Sequence, residues 1–188
     1  GFMKRFVCMV VFALLLAAIP ASASTFLAMS RGELVAQSDA IVQGSVLKVN
    51  SFWSESGRII VSEAMIQVEE KIRGNAPSVV VVRTYGGEVG DIRVDAPGFP
   101  KFSVGERVLV FLSNAGATAE VTGYRQGQFR IVRDKAGVEM AVPTVEHGVR
   151  LLNRDGSAAP APKAVRLDNF KQMLRNAEIE RPGIRTAN

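Results

Sequence analysis

The spacing of apolar and polar residues changes period twice along this chain. Ser30-Arg31-Gly32-Glu33 precedes Leu34, Val35 and Ala36. Ser followed three residues later by Glu is a capping-box pattern, in which each side chain accepts an N–H that opens a helix. It predicts one short helix ending near Gln37 to Asp39. From Ala40 the period becomes two. Ala40 to Val49 reads as a strand with Gly44 at a bend or bulge. Asn50 to Gly57 reads as a polar hairpin loop, and Arg58 to Ile72 as a long strand. Along it, Ser62, Ala64, Ile66, Val68 and Glu70 share one face, and Val61, Met65 and Gln67 take the other. A strand of that length is expected to bend or to be shared between two sheets.

Arg73 to Pro77 reads as a turn, and Ser78 to Tyr85 as a β-branched strand. Gly86-Gly87-Glu88-Val89-Gly90 reads as a flexible loop with glycines at positive φ. Val94 to Val104 is expected to be irregular, because Pro97 and Pro100 lack the N–H a ladder needs. Arg107 to Leu112 is a strand. Ala119 to Arg125 is expected to pair with Gln128 to Arg133 across Gln126-Gly127. Val138 to Val142 follows a turn at Asp134 to Gly137. Short strands at this spacing, joined by Gly turns, point to a mainly β fold, a small barrel or sandwich. Asn153 to Lys163 has linker composition. Leu167, Phe170, Met173 and Leu174 then recur at helical spacing, with Asp168 near the start and Arg175 near the end. They predict a C-terminal amphipathic helix, and Arg181 to Asn188 is expected as a frayed tail.

The first residues fit a signal peptide. Lys4 and Arg5 precede an apolar run of 14 residues from Phe6 to Ile19, then Pro20 and the small-residue site Ala21-Ser22-Ala23. The run is shorter than the roughly 18–20 apolar residues that span a bilayer, so no membrane anchor is expected after cleavage. Gly1 and Phe2 precede a plausible start at Met3. Cleavage after Ala23 would leave 165 of the 188 residues, and loss of Lys4 and Arg5 would lower the net charge from +5 to +3. Export, periplasmic or secreted, is the expected localisation. The organisation expected is a signal peptide over 1–23, a β-barrel domain over 24–152, a linker over 153–166, and a helix with its tail over 167–188.

Composition removes several chemistries. The one Cys, Cys8, lies in the signal segment, and His147 is the one His. A disulfide, a redox pair and a Cys/His zinc site are therefore excluded from the mature chain. His147 lacks a nucleophile elbow such as G-x-S-x-G, and a structural or solvated role is expected for it. Glu69 and Glu70 are neighbours, and adjacent strand residues face opposite ways. Asp91 and Asp95 lack the dense carboxylate loop that calcium requires. The Gly86–Gly90 loop is not followed by the Gly-Lys-Ser/Thr of a phosphate-binding loop. The reading is a non-enzyme without cofactor or metal, with no catalytic residues.

Binding remains. Trp53, the sole Trp, is expected beside Phe52 in the first hairpin loop. Trp is costly to expose and common at interfaces, although it can equally fold back onto a barrel mouth. Ten aromatics come after Ala23, at scattered positions. That scatter and the mild charge argue against nucleic acid, although a small barrel can stack bases or sugars on its aromatics. Lys163, Arg166, Lys171, Arg175, Arg181 and Arg185 concentrate near the C-terminus. They leave open an envelope-associated protein that touches anionic polymer or lipid through its C-terminal helix.

The order of segments resembles the netrin-like module. The runs that carry the resemblance are Ser38-Asp39-Ala40-Ile41-Val42-Gln43-Gly44-Ser45-Val46, then Val68-Glu69-Glu70-Lys71-Ile72-Arg73-Gly74, then Val79–Val82, then Val104-Gly105-Glu106-Arg107-Val108-Leu109-Val110-Phe111-Leu112. That module is a closed OB-type barrel with flanking helices, shared by tissue inhibitors of metalloproteinases and by small exported bacterial proteins. The resemblance runs over roughly residues 25–133. It implies a protein partner, another exported protein, with a metalloprotease as one candidate. It also implies that the mature N-terminus enters the partner's cleft. Ser24 would then be a ligand to the partner's zinc and Thr25 the pocket residue, with Phe26 behind them. The loop of Phe52 and Trp53 and the loop of Gly87 and Glu88 would flank that edge. The inhibitors pin their N-terminus through disulfides of a Cys-x-Cys start, which this chain lacks, so an unpinned terminus is expected.

Overall fold

Arg107 to Ser113 contains a run of apolar residues with no polar alternation, and such a strand must be covered on both faces. The computed structural model, which describes residues 24–116, 118–144 and 149–177, covers it so. The expected signal peptide, His147, Arg181 and Arg185 lie outside the described residues.

The elements in order are β1 (Ser24–Leu27), α1 (Arg31–Ala36), β2 (Ala40–Trp53), β3 (Ile60–Gly74), β4 (Val79–Tyr85), β5 (Gly87–Val89), β6 (Ile92–Val94), β7 (Arg107–Ser113) and β8 (Glu120–Val121). A 3-10 turn (Tyr124–Gly127), β9 (Gln128–Arg133), β10 (Glu139–Pro143), β11 (Val149–Leu152), β12 (Val165–Arg166) and α2 (Leu167–Asn176) complete the chain. The main sheet is antiparallel in the order β12-β10-β9-β7-β2-β3-β4, and β8 also pairs with β7. It is an open path rather than a closed ring. One isolated parallel bridge, Val82 to Ala119, links the β4 edge to the segment entering β8. β1 pairs with β11 in parallel, and β5 with β6.

The capping box forms as expected. The Glu33 N–H donates to Ser30 Oγ (3.1 Å) and the Ser30 N–H to Glu33 Oε2 (2.7 Å). The long β3 bends through three register shifts against β2. At one of them Gly44 is required, because a Cβ there would lie 2.2 Å from the Gln67 carbonyl oxygen.

Two cores share the central strands. Val108, Val110 and Leu112 of β7 join Val42, Val46, Ala64, Ile66, Val80 and Val82 in an aliphatic core on one face. Leu109 and Phe111, alternating with them, join a second core with Leu34 and Val35 of α1 and Leu167, Phe170 and Leu174 of α2. The C-terminal helix therefore docks on the sheet.

Three expectations are corrected. Asn50 to Trp53 is not loop but the end of β2, since Ser51, Phe52 and Trp53 pair with Ser62, Val61 and Ile60. The Gly86–Gly90 segment belongs to the β5–β6 hairpin. Ala119 to Arg125 does not pair with β9. β8 lies against β7, and positive φ at Gly123 (68°) and Tyr124 (57°) turns the chain into the 3-10 turn instead.

Candidate functional site

Residues that pair across a sheet present their side chains on the same face. Phe52 pairs with Val61, and Val61 with Tyr85. These residues make an apolar row across β2, β3 and β4. The row borders a groove of about 1200 Å³, also lined by Ile59, Phe99 and Tyr124. That volume exceeds the roughly 300–1,000 Å³ of small-molecule pockets.

Four rings in sequence carry the groove to the N-terminal strand. Tyr85 meets Phe99 edge-on at 4.9 Å, Phe99 meets Tyr124 at 5.1 Å, and Tyr124 meets Phe26 at 5.3 Å. Such contacts contribute about 0.5–1.5 kcal/mol each beyond burial. Tyr85 and Tyr124 are each 48% exposed, so the chain of rings holds its own shape and still faces water.

The seven residues singled out in the sequence divide into separate sets. Phe52 borders the groove. Trp53, the next residue, points to the opposite face of β2, the face of Ser51. Gly87 lies on that face too, where a Cβ would come within 2.4 Å of both the Ser51 and Ser62 hydroxyls. Those hydroxyls are 2.7 Å apart, and Ser62 donates to the Gly86 carbonyl (2.7 Å). Trp53 and the β5 pair Gly87 and Glu88 thus belong to one side, Phe52 to the other. Glu88 is ion-paired to Arg93 (2.5 Å).

Ser24, Thr25 and Phe26 lie in β1, and this strand is pinned without disulfides. Each of its residues has a partner in β11, from Ser24 with Val149 to Leu27 with Leu152. The Gln126 side chain closes the junction after β1, with Nε2 donating to the Leu27 carbonyl and Oε1 accepting from the Met29 N–H, both at 2.9 Å. The Phe26 ring fills the space that a Cβ on Gly98 would need. Strand pairing and the Gln126 amide therefore hold Ser24 to Leu27 in place, where an unpinned segment was expected.

Tyr85, Phe99 and Tyr124 were not among the sequence candidates. The signal was faint, the two Tyr of the chain and a Phe between prolines, and only the turn at Gly123 brings them together.

The carboxylates at the opposite end make a structural network. The bulge that separates the Gln43–Glu70 and Gly44–Val68 pairs leaves Glu69 as the extra residue, so the rule that adjacent side chains diverge does not apply there. Glu69 accepts from Ser45 (2.5 Å), Gln43 (3.0 Å) and Arg107 (3.2 Å). Arg107 reaches on to Glu139 (2.5 Å). Glu70 takes Lys171 at 2.7 Å and also Arg175, both from α2. Burial works to raise the carboxyls of Glu69 and Glu70, but their hydrogen bonds and cations outweigh it and hold both below the ordinary value. The Glu70 pairs fasten α2, the Glu69 bonds tie β3 to β2 and β7, and carboxylates held in this way are poorly placed to move protons.

Among the described residues no group of three or more His, Cys, Asp or Glu could hold a metal ion, and no helix is long and apolar enough to cross a membrane. Comparison with protein families, with curated proteins and with solved structures finds no match.

Proposed function

We propose that this chain is an exported, non-enzymatic, protein-binding module of netrin-like type, built as an OB-like barrel, whose partner docks along the aromatic groove. The observation that carries the reading is the run of rings from Phe26 to Tyr85, half exposed and beside Phe52. Aromatic side chains already held in place lose little entropy when a partner covers them. The bridge between Val82 and Ala119 supports the barrel, because it is the one seam needed to complete a ring through β7, β2, β3, β4 and β8.

The groove's charges favour a protein over a polyanion. Glu55 and Glu120 line it, and its Arg83 is bridged to Glu63 (2.6 Å). The envelope-polymer alternative draws less support, since Lys171 and Arg175 are engaged by Glu70 and Arg166 by Asp168 (3.0 Å).

A narrower reading takes the partner as a metalloprotease, with Ser24 on its zinc and Thr25 in its pocket. The pinning of β1 favours it, because a terminus held in place gives up less on binding. The test immobilises the chain beginning at Ser24 through its C-terminus and exposes it to exported proteins. A second chain carries one extra residue before Ser24, and a third carries Tyr85→Ala. Retention lost with Tyr85→Ala supports the groove. Retention lost with the extension supports the protease reading. Retention untouched by either sinks both.

A further inference from the structure

A second cavity, of about 520 Å³, lies between the β1–β11 pair, α1 and the 3-10 turn. Met29 and Tyr124 line both this cavity and the groove and so form the wall between them. Its volume falls within the small-molecule range. The cavity continues the core under α2, because Leu34 and Phe129 belong to that core and also line it. Phe26, Val149 and Leu151 supply further apolar wall.

The charged and amide side chains around it are engaged within the protein. Glu33 is bridged to Arg154 (2.5 Å). Arg31 stacks over Phe170 (5.3 Å) and donates to Met173 Sδ (3.7 Å). Arg125 donates to the Phe99 carbonyl (3.4 Å), and its charge acts on Glu106. Gln126 bonds the Leu27 carbonyl and the Met29 N–H, both at 2.9 Å. Lys163 is exposed on the coil at the opening, where its ammonium stays in water. A charged ligand would therefore give up its hydration without gaining a counterion in the cavity. Water gains little there either, since a buried water needs roughly two to four polar partners.

The coil after β11 crosses the opening. Its start is tied down, with the Ala159 N–H donating to the Leu151 carbonyl (2.9 Å) and a bridge between Leu152 and Ala158. Pro160 and Pro162 line the cavity and stiffen the coil beyond that point.

We propose that this cavity binds a neutral, largely hydrocarbon small molecule. The ligand packs against Phe26, Phe129 and Leu151, and its affinity comes from apolar area removed from water. The site is independent of the protein-binding reading.

The test titrates the full chain with phenylnaphthylamine, a neutral apolar dye, by fluorescence and by NMR. Anilinonaphthalenesulfonate, the same ring skeleton carrying a sulfonate, is run beside it. The expected result is one saturable site for the neutral dye, at least tenfold tighter than the sulfonate, with shifts centred on Val149 and Leu151. Lys163→Glu at the opening and Tyr85→Ala in the groove should each leave that affinity unchanged. Leu151→Trp should block the site. Ala159→Phe, on the coil, is the second blocking variant if the first fails to fold. The proposal is overturned by a sulfonate that binds as well as the neutral dye, by shifts confined to the groove, by affinity that follows Lys163→Glu, by folded blocking variants that bind like the parent, or by no saturable binding.

Discussion

Two aromatic clusters in this molecule are built alike and finished differently. Under α2, Phe111, Phe129 and Phe170 pack with ring centroids 4.9–6.3 Å apart, and each is at most 5% exposed. At the groove, Phe26, Tyr124, Phe99 and Tyr85 pack at 4.9–5.3 Å, yet both Tyr stand half in water. The helix-covered cluster uses only Phe, which has no polar atom to satisfy. The groove cluster places Tyr at the water-facing positions, where a hydroxyl can stay solvated while the ring gives a partner its apolar area. Ring packing of similar geometry therefore closes a core in one place and presents a surface in the other. The residue choice, together with what lies on top, makes the difference.

The largest expected effect tests the covered side. Phe170→Ala should cost about 3–5 kcal/mol, read by urea unfolding, whereas Tyr85→Ala should cost about 1 kcal/mol, the scale of one exposed ring contact. Equal losses would erase the distinction between core and surface. Next comes the bulge that bends β2 and β3. Gly44→Ala places a methyl against the Gln67 carbonyl and should cost about 1–3 kcal/mol as overpacking, by the same measurement.

These two positions also show what could be read without coordinates. The helix α1 was legible because its capping box is local. The strands β4 and β7 were legible because β-branched and apolar runs are local too. Gly44 could be marked as a bend, but not the accompanying displacement of Glu69, which depends on the register with β2. The NSFW segment looked like loop because its polar residues outweigh its aromatics, and pairing with β3 overrode that composition. The groove was half legible. Phe52 drew attention as an aromatic in a polar stretch, while Tyr85, Phe99 and Tyr124 are brought together by turns that no spacing encodes. The pinning of β1 was invisible, because it depends on a parallel partner more than a hundred residues away.

Smaller effects sharpen the electrostatic side of the contrast. Glu70→Gln removes the charge facing Lys171 and Arg175, and should loosen α2 by about 1 kcal/mol or less, since the pair is partly solvated. The difference from the parent should shrink in high salt. Tyr85 exposure should be unmoved.

Last is an acid effect confined to α1. The hydrogen bond from Arg154, followed by the Ser30 backbone and side chain, lowers the Glu33 carboxyl from 4.5 to about 2. A carboxyl depressed on folding stabilises the folded state above its unfolded value, and that contribution is lost as the pH falls through its folded value. The helix start should therefore hold fully above pH 4.5 and loosen between there and about pH 2. Amide exchange at Glu33 reads this, and Glu33→Gln should remove the pH dependence.

The central claim, that the exposed ring cluster is where a partner binds, is tested most directly by one comparison. The chain and its Phe52→Ala/Tyr85→Ala double variant are each immobilised through the C-terminus, exposed to the same exported proteins, and checked for an unchanged fold by circular dichroism. The account predicts a specific partner retained by the parent and lost by the variant. A partner held equally by both would contradict it.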